Sequence, residues 1–192
     1  MSLSDRHSQE EGAAATERQK VFDGHNDMLY QLWTRGDQKG QLFLSGEPSN
    51  PLSITHHKVK EGGLAGGLFA IFVPANKNVK GTRNLSQPEA FQYTLDMLAI
   101  ADYLNDAHGH SFRICRNKSD IIKAEKEGAI AAVLHIEGAE AIGADLTEIE
   151  QLSSRGIRSI GPLWSRPNIF GQGVPFTYPG SPDQGSGLTA NG

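Results

Sequence analysis

The sequence predicts an α/β fold, and three observations carry that expectation. Four short apolar runs, Val21 to Asp27, Leu64 to Pro74, Ala129 to Glu137 and Ile157 to Trp164, are rich in Val, Ile, Leu and Phe and bounded by Gly or Pro, as buried strands of a parallel sheet are. Segments with helix signals lie between them, so strand and helix alternate. At 192 residues, 38% of them hydrophobic, the chain is long enough for a core of about one domain.

Each element has its own signature. Residues 1–20 (MSLSDRHSQEEGAAATERQK) are small, polar and charged and are expected to form a disordered tail, because they offer too little apolar surface to offset the entropy of ordering. Order should begin at VFDGHND. The glycines of GGLAGG (Gly62 to Gly67) precede a strand instead of linking strand to helix, so they do not match a dinucleotide fingerprint. A helix should start at Ser86, with Glu89 completing a capping box and Pro88 tolerated in the first turn. Phe91, Leu95, Leu98 and Ala99 are expected to form its apolar stripe. A second helix should run from a Ser119 cap to Gly128, and a third from Thr147 to Arg155, ended by Gly156. His108 and His110 follow the first helix, and His56-His57 sits in a polar stretch expected to be a solvated loop. Residues 171–192 are rich in Gly and Pro and lack periodicity.

Composition excludes several classes of function. With 18 basic and 22 acidic residues and a net charge of -4, nothing favours nucleic acid or an anionic membrane as a partner. Mean hydropathy is -0.41 and no apolar run approaches the length of a membrane span. The first twenty residues contain no signal-peptide core. The single cysteine, Cys115, excludes a disulfide framework and suits a reducing compartment. The expected location is therefore cytoplasmic, and the N-x-S sequons at Asn84 and Asn117 read as incidental.

Two strand ends carry the residues suited to chemistry. In Asp23-Gly24-His25-Asn26-Asp27, alternation points His25 and Asp27 the same way, so an imidazole and a carboxylate can reach one divalent metal. Asp23 shares their parity from deeper in the strand, where it would orient His25 through its second ring nitrogen. The competing reading is a strand-to-loop turn in which Gly24, Asn26 and Asp27 serve backbone geometry. In His135-Ile136-Glu137-Gly138, Val133, His135 and Glu137 share one face. A carboxylate at the end of a buried strand needs a cation, a hydrogen-bond network or a proton. A metal would satisfy Glu137, as would an Arg or Lys. His135 is expected behind the ligands, as a core or supporting histidine. Trp164-Ser165-Arg166 follows the fourth strand, at the end where α/β active sites form; Arg166 is a candidate for a substrate carboxylate or for a salt bridge.

Together, VFDGHNDMLYQL, EGGLAGGLFAIFVP, HIEGAEAIG and GIRSIGPLWSRPNIFGQGVPF resemble the membrane (renal) dipeptidase family, peptidase family M19. The resemblance implies a (β/α)8 barrel, of which residues 21–192 would supply about the first four strand-helix units. It further implies a zinc-dependent dipeptidase that cleaves dipeptides through a metal-bridged hydroxide. His25 and Asp27 would bind the first of two zinc ions, and Glu137 would bridge both as the catalytic carboxylate. Trp164 and Arg166 would face the substrate, with Trp164 standing where many members carry a histidine. The family takes further ligands, a pair of histidines, from later strands, so the 192 residues are expected to be inactive alone. The alternatives are another amidohydrolase-like metal barrel, against which H-x-D in place of H-x-H speaks, and a non-catalytic half-barrel. The partners considered are a homodimer and a second half of the barrel.

Overall fold

The computed structural model describes residues 19–74, 85–174 and 185–192; most of the expected tail and the Asn84 sequon lie outside them. Five parallel strands form one sheet: β1 (Val21–Asn26), β2 (Leu64–Phe72), β3 (Phe112–Ile114), β4 (Ile130–Glu137) and β5 (Ile157–Gly161). The four apolar runs are β1, β2, β4 and β5. β2 lies between β1 and β4, while β3 and β5 share the far edge of β4 end to end, beside Ile130–Ala132 and Leu134–Glu137. β3 is too short for a periodic signal, which is why sequence pattern missed it.

Six helices connect the strands: α1 (Met28–Thr34), α2 (Gln41–Leu44), α3 (His56–Gly62), α4 (Gln87–Ala107), α5 (Lys118–Glu127) and α6 (Thr147–Ser154). α1 starts directly at the end of β1 with no side-chain cap, so no punctuation announces it. His56-His57 is not a loop but the first turn of α3, capped by the Thr55 hydroxyl accepting from the Lys58 N–H at 3.2 Å. In α4 the Glu89 carboxylate accepts from the Ser86 N–H at 2.8 Å and from its hydroxyl at 2.6 Å. The buried residues of α4 are Ala90, Thr94, Met97, Leu98, Ile100, Ala101 and Leu104; of the expected stripe, Leu98 is among them, Phe91 and Leu95 flank them partly buried, and Ala99 faces out. α5 is capped by Asn117, whose side chain accepts from the Asp120 N–H at 3.0 Å, and not by Ser119.

The core is loaded on one face of the sheet. Phe69, Ile71, Leu134 and Ile136 belong to one buried cluster with Leu32, Met97, Leu98 and Leu104 from the helices. The opposite face bears Leu68, Val133, His135 and Glu137, in register as Leu68 to Val133 and Phe72 to Glu137, and only partly covered. Its lower part, Ala131 and Val133, packs beneath Ile121 and Ala124 of α5. Gly66 and Gly67 let the strands close up: a Cβ at Gly66 would overlap the Ala131 carbonyl and the Phe22 ring, and one at Gly67 would lie 2.8 Å from the Asp23 Cβ.

Candidate metal centre

The end of β1 is shaped by a bulge. Asp23 is opposite Gly67 and Asn26 opposite Phe69, three residues of β1 against two of β2. Beyond the bulge, the buried Asn26 ties the strand down: its Nδ2 donates to the Leu68 carbonyl at 3.2 Å, and its Oδ1 accepts from the Met28 N–H at 3.3 Å. With Asn26 turned into the protein, His25 and Asp27 on either side of it turn out together. Asp23 does not reach the His25 ring. Its Oδ1 accepts instead from the His25 backbone N–H at 3.3 Å, a local Asx-type bond, because the extra residue breaks the alternation.

His25, Asp27 and Glu137 converge. His25 Nε2 lies 3.1 Å from Asp27 Oδ1 and 3.7 Å from Glu137 Oε2, and one donor atom from each of the three falls within 4.8 Å of the others. Among the described residues this is the one such cluster of three or more. β2 separates the two strands that supply it, so chain continuity alone does not explain the approach. Burial pushes the Glu137 carboxyl upward; His25 opposes that shift and Asp27 adds to it. One imidazole nitrogen and two carboxylates form a donor set that fits a divalent cation.

Other groups stand around it. His135 Nδ1 is 2.8 Å from Ser159 Oγ, and its ring lies edge-on to His25 at 6.4 Å between centroids. Burial, and to a lesser degree His25, lowers the His135 pKa and favours the neutral ring. Sequence reading missed Ser159, although β5 places it in register with His135. Trp164 packs its ring 4.9 Å from Phe72, which also meets Tyr30 at 4.7 Å. Arg166 is largely buried: its Nη2 donates to the Val73 carbonyl at 2.7 Å and its Nε lies 3.6 Å from Glu140 Oε1. Of the two readings of Arg166, the structure displays the salt bridge, with a partner that pattern did not single out. His56, His108 and His110 precede the opposite ends of β2 and β3 and take no part in the cluster.

A profile of the membrane dipeptidase family, peptidase family M19, matches residues 9–192. A solved metallopeptidase from Rhodobacter sphaeroides, liganded with a phosphinate mimic of the dipeptide L-Ala-D-Ala, aligns with a TM-score of 0.77 at 36% identity, covering 90% of this chain and 53% of its own. The solved dipeptidase AC, a metallopeptidase of family M19, aligns with a TM-score of 0.76 at 38% identity, covering 90% and 52%. A protein encoded in the PQQ-III 3' region of Acinetobacter calcoaceticus is 35% identical over 191 residues, 90% of this chain and 57% of that protein. The chain spans about half the length of these relatives. Match, fold and donor cluster agree: the chain belongs to the membrane dipeptidase family, peptidase family M19.

Proposed function

We propose that this protein acts as a zinc-dependent dipeptidase, with His25 and Asp27 holding one ion and Glu137 shared between that ion and a second. The observation that carries this reading is the approach of His25, Asp27 and Glu137 donor atoms to within 4.8 Å of one another at the C-terminal end of a parallel sheet. Zinc bound there supplies a Lewis acid for the peptide carbonyl and a water acidic enough to attack it. The protein's own groups do the rest. His135, fixed by Ser159 and edge-on to His25, keeps that imidazole from turning. Asn26 anchors the backbone between His25 and Asp27. Phe72, the register partner of Glu137, packs with Tyr30 and Trp164 into an apolar wall, suited to excluding water and to receiving a small apolar side chain. The dipeptide mimic held by the Rhodobacter relative makes L-Ala-D-Ala the first substrate to try.

Three side chains are too few for two tetrahedral ions, and no fourth His, Cys, Asp or Glu joins them among the described residues. We infer that these 192 residues alone hold zinc weakly and turn over dipeptides poorly, the remaining donors coming from outside them. Zinc titration by calorimetry, with hydrolysis of L-Ala-D-Ala followed in parallel, tests both statements. Loss of zinc binding in Glu137→Gln supports the assignment. Unchanged zinc content in that variant overturns it, and brisk turnover by the 192-residue chain overturns the argument from donor number.

A further inference from the structure

Glu140 stands three residues beyond Glu137, and its side chain is 9% exposed. Both carboxylate oxygens are buried, and neither receives a hydrogen bond. Burial pushes the carboxyl upward, Glu137 adds a little to that shift, and Glu140's own backbone amide and, less strongly, Arg166 oppose it. The group folds back over Gly138, which has φ +87°; a Cβ there would come within 2.5 Å of Glu140 Oε2. Gly138 thus leaves open the space that the Glu140 carboxylate fills. The same turn is fastened to the end of β5 by Gly138 N–H to the Gly161 carbonyl at 2.9 Å and Ala139 N–H to the Pro162 carbonyl at 3.1 Å. A buried carboxylate without hydrogen bonds is costly unless its charge does something.

Its charge faces Arg166. That guanidinium is 16% exposed, 3.6 Å from Glu140 Oε1, and reaches across to the carbonyl of Val73, just past the end of β2. Two residues earlier, Trp164 lies against Phe72, and Phe72 is the register partner of Glu137. We propose that Glu140 and Arg166 are a positioning pair: the buried carboxylate holds the guanidinium inward on Val73, and this keeps Trp164 against Phe72 beside the metal centre. Neither residue touches the reacting atoms. Their effect on dipeptide recognition rests on the proposed function, whereas their effect on the placement of Trp164 does not.

The test uses the full 192-residue chain labelled with 5-fluorotryptophan, the Trp164 fluorine resonance being assigned against a W33F variant. Glu140→Gln keeps the volume and removes the charge. The Trp164 resonance is expected to move toward that of an exposed indole while the Trp33 resonance stays, and Arg166→Gln is expected to move it the same way. The double variant should lose less stability than the sum of the two singles, as coupled residues do. Where hydrolysis is measurable, KM for L-Ala-D-Ala should rise roughly tenfold, with kcat within about twofold. An unmoved Trp164 resonance in Glu140→Gln, or additive losses in the cycle, overturns the proposal. If Glu140→Gln does not fold, the Arg166→Gln resonance alone decides, and no movement there overturns it. Absence of hydrolysis by the parent chain is what three donors lead one to expect and leaves the fluorine result standing, whereas unchanged zinc content in Glu137→Gln counts against the dipeptidase reading without touching that result.

Discussion

Glu137 sits in an environment that penalises its charge, and the penalty has a definite sign. Its folded pKa lies above the unperturbed 4.5 because burial disfavours the anion. A raised carboxyl contributes stability that is fully present below the unperturbed value and is lost as pH rises through the folded one. In metal-free protein, the stability of wild type relative to Glu137→Gln should therefore fall as pH rises above 4.5, as chemical denaturation at several pH values will report. On the proposed function, the same substitution, or Asp27→Asn, should weaken zinc at least about tenfold in a calorimetric titration without unfolding the protein. Gly138→Ala is the opposite case. A positive φ of 87° and the Glu140 carboxylate overhead should cost about 1–2 kcal/mol or more in denaturant midpoint, with zinc donors untouched. The three donors were legible because strand alternation and the chemistry of H-x-D and H-x-E act over two residues. Glu140 was not, since its role depends on a fold-back over Gly138 and on an arginine 26 positions away.

Helix ends decide several of the element-scale outcomes. Asn117 accepts from the Asp120 N–H at 3.0 Å, so Asn117→Ala should cost about 1 kcal/mol, while Ser119→Ala, inside the first turn, should change stability by less than about 0.5 kcal/mol. Thermal denaturation of the two variants separates them. At α4 the Ser86 hydroxyl and N–H hold the Glu89 carboxyl below its ordinary range, the hydroxyl contributing more. A depressed carboxyl contributes stability above the unperturbed value and loses it as pH falls through the folded one. Ser86→Ala should accordingly lower stability at neutral pH and lower it less in acid, which flattens the acid limb of the stability profile measured by denaturation at several pH values. The sequence announced α4 and α5 through cap residues and glycine stops. It placed Leu98 correctly on the buried face of α4 but centred the stripe on Phe91 and Leu95, which are more hydrophobic than Ala90 and Thr94, although the latter pair is the one buried. α1 and α3 went unread for a different reason: each is only 7 residues long, too short for a period to emerge.

At the scale of the whole molecule, one apolar cluster joins β2 and β4 to α1 and α4. Leu134, fully buried in it, should cost about 2–5 kcal/mol when truncated to Ala, and a single cooperative transition should be retained. The helix-packed face of the sheet followed from runs of Val, Ile, Leu and Phe. The order of strands along the β4 edge did not, because three residues, Phe112–Ile114, occupy the lower half of a position whose upper half belongs to β5. Among the described residues no helix is long and apolar enough to cross a membrane. The exposed Val21 and Phe22 on β1 and Ile160 on β5 mark the two outer strands, where unpaired backbone is open to further pairing.

The bulge in β1 separates what lies before Gly24 from what lies after it. Val21 and Phe22 are registered on Leu64 and Gly66, whereas His25 and Asp27 follow the Asn26 anchor on Leu68, and no neighbouring side chain crowds Gly24. The join works as a slack link. Fusing a tag or carrier at the N-terminus, or shifting the first half-strand by a fraction of a residue, should leave the His25 and Asp27 side chains where they are. Excising Gly24 would bring the two strands into step and force either Asn26 or the donors off their hold.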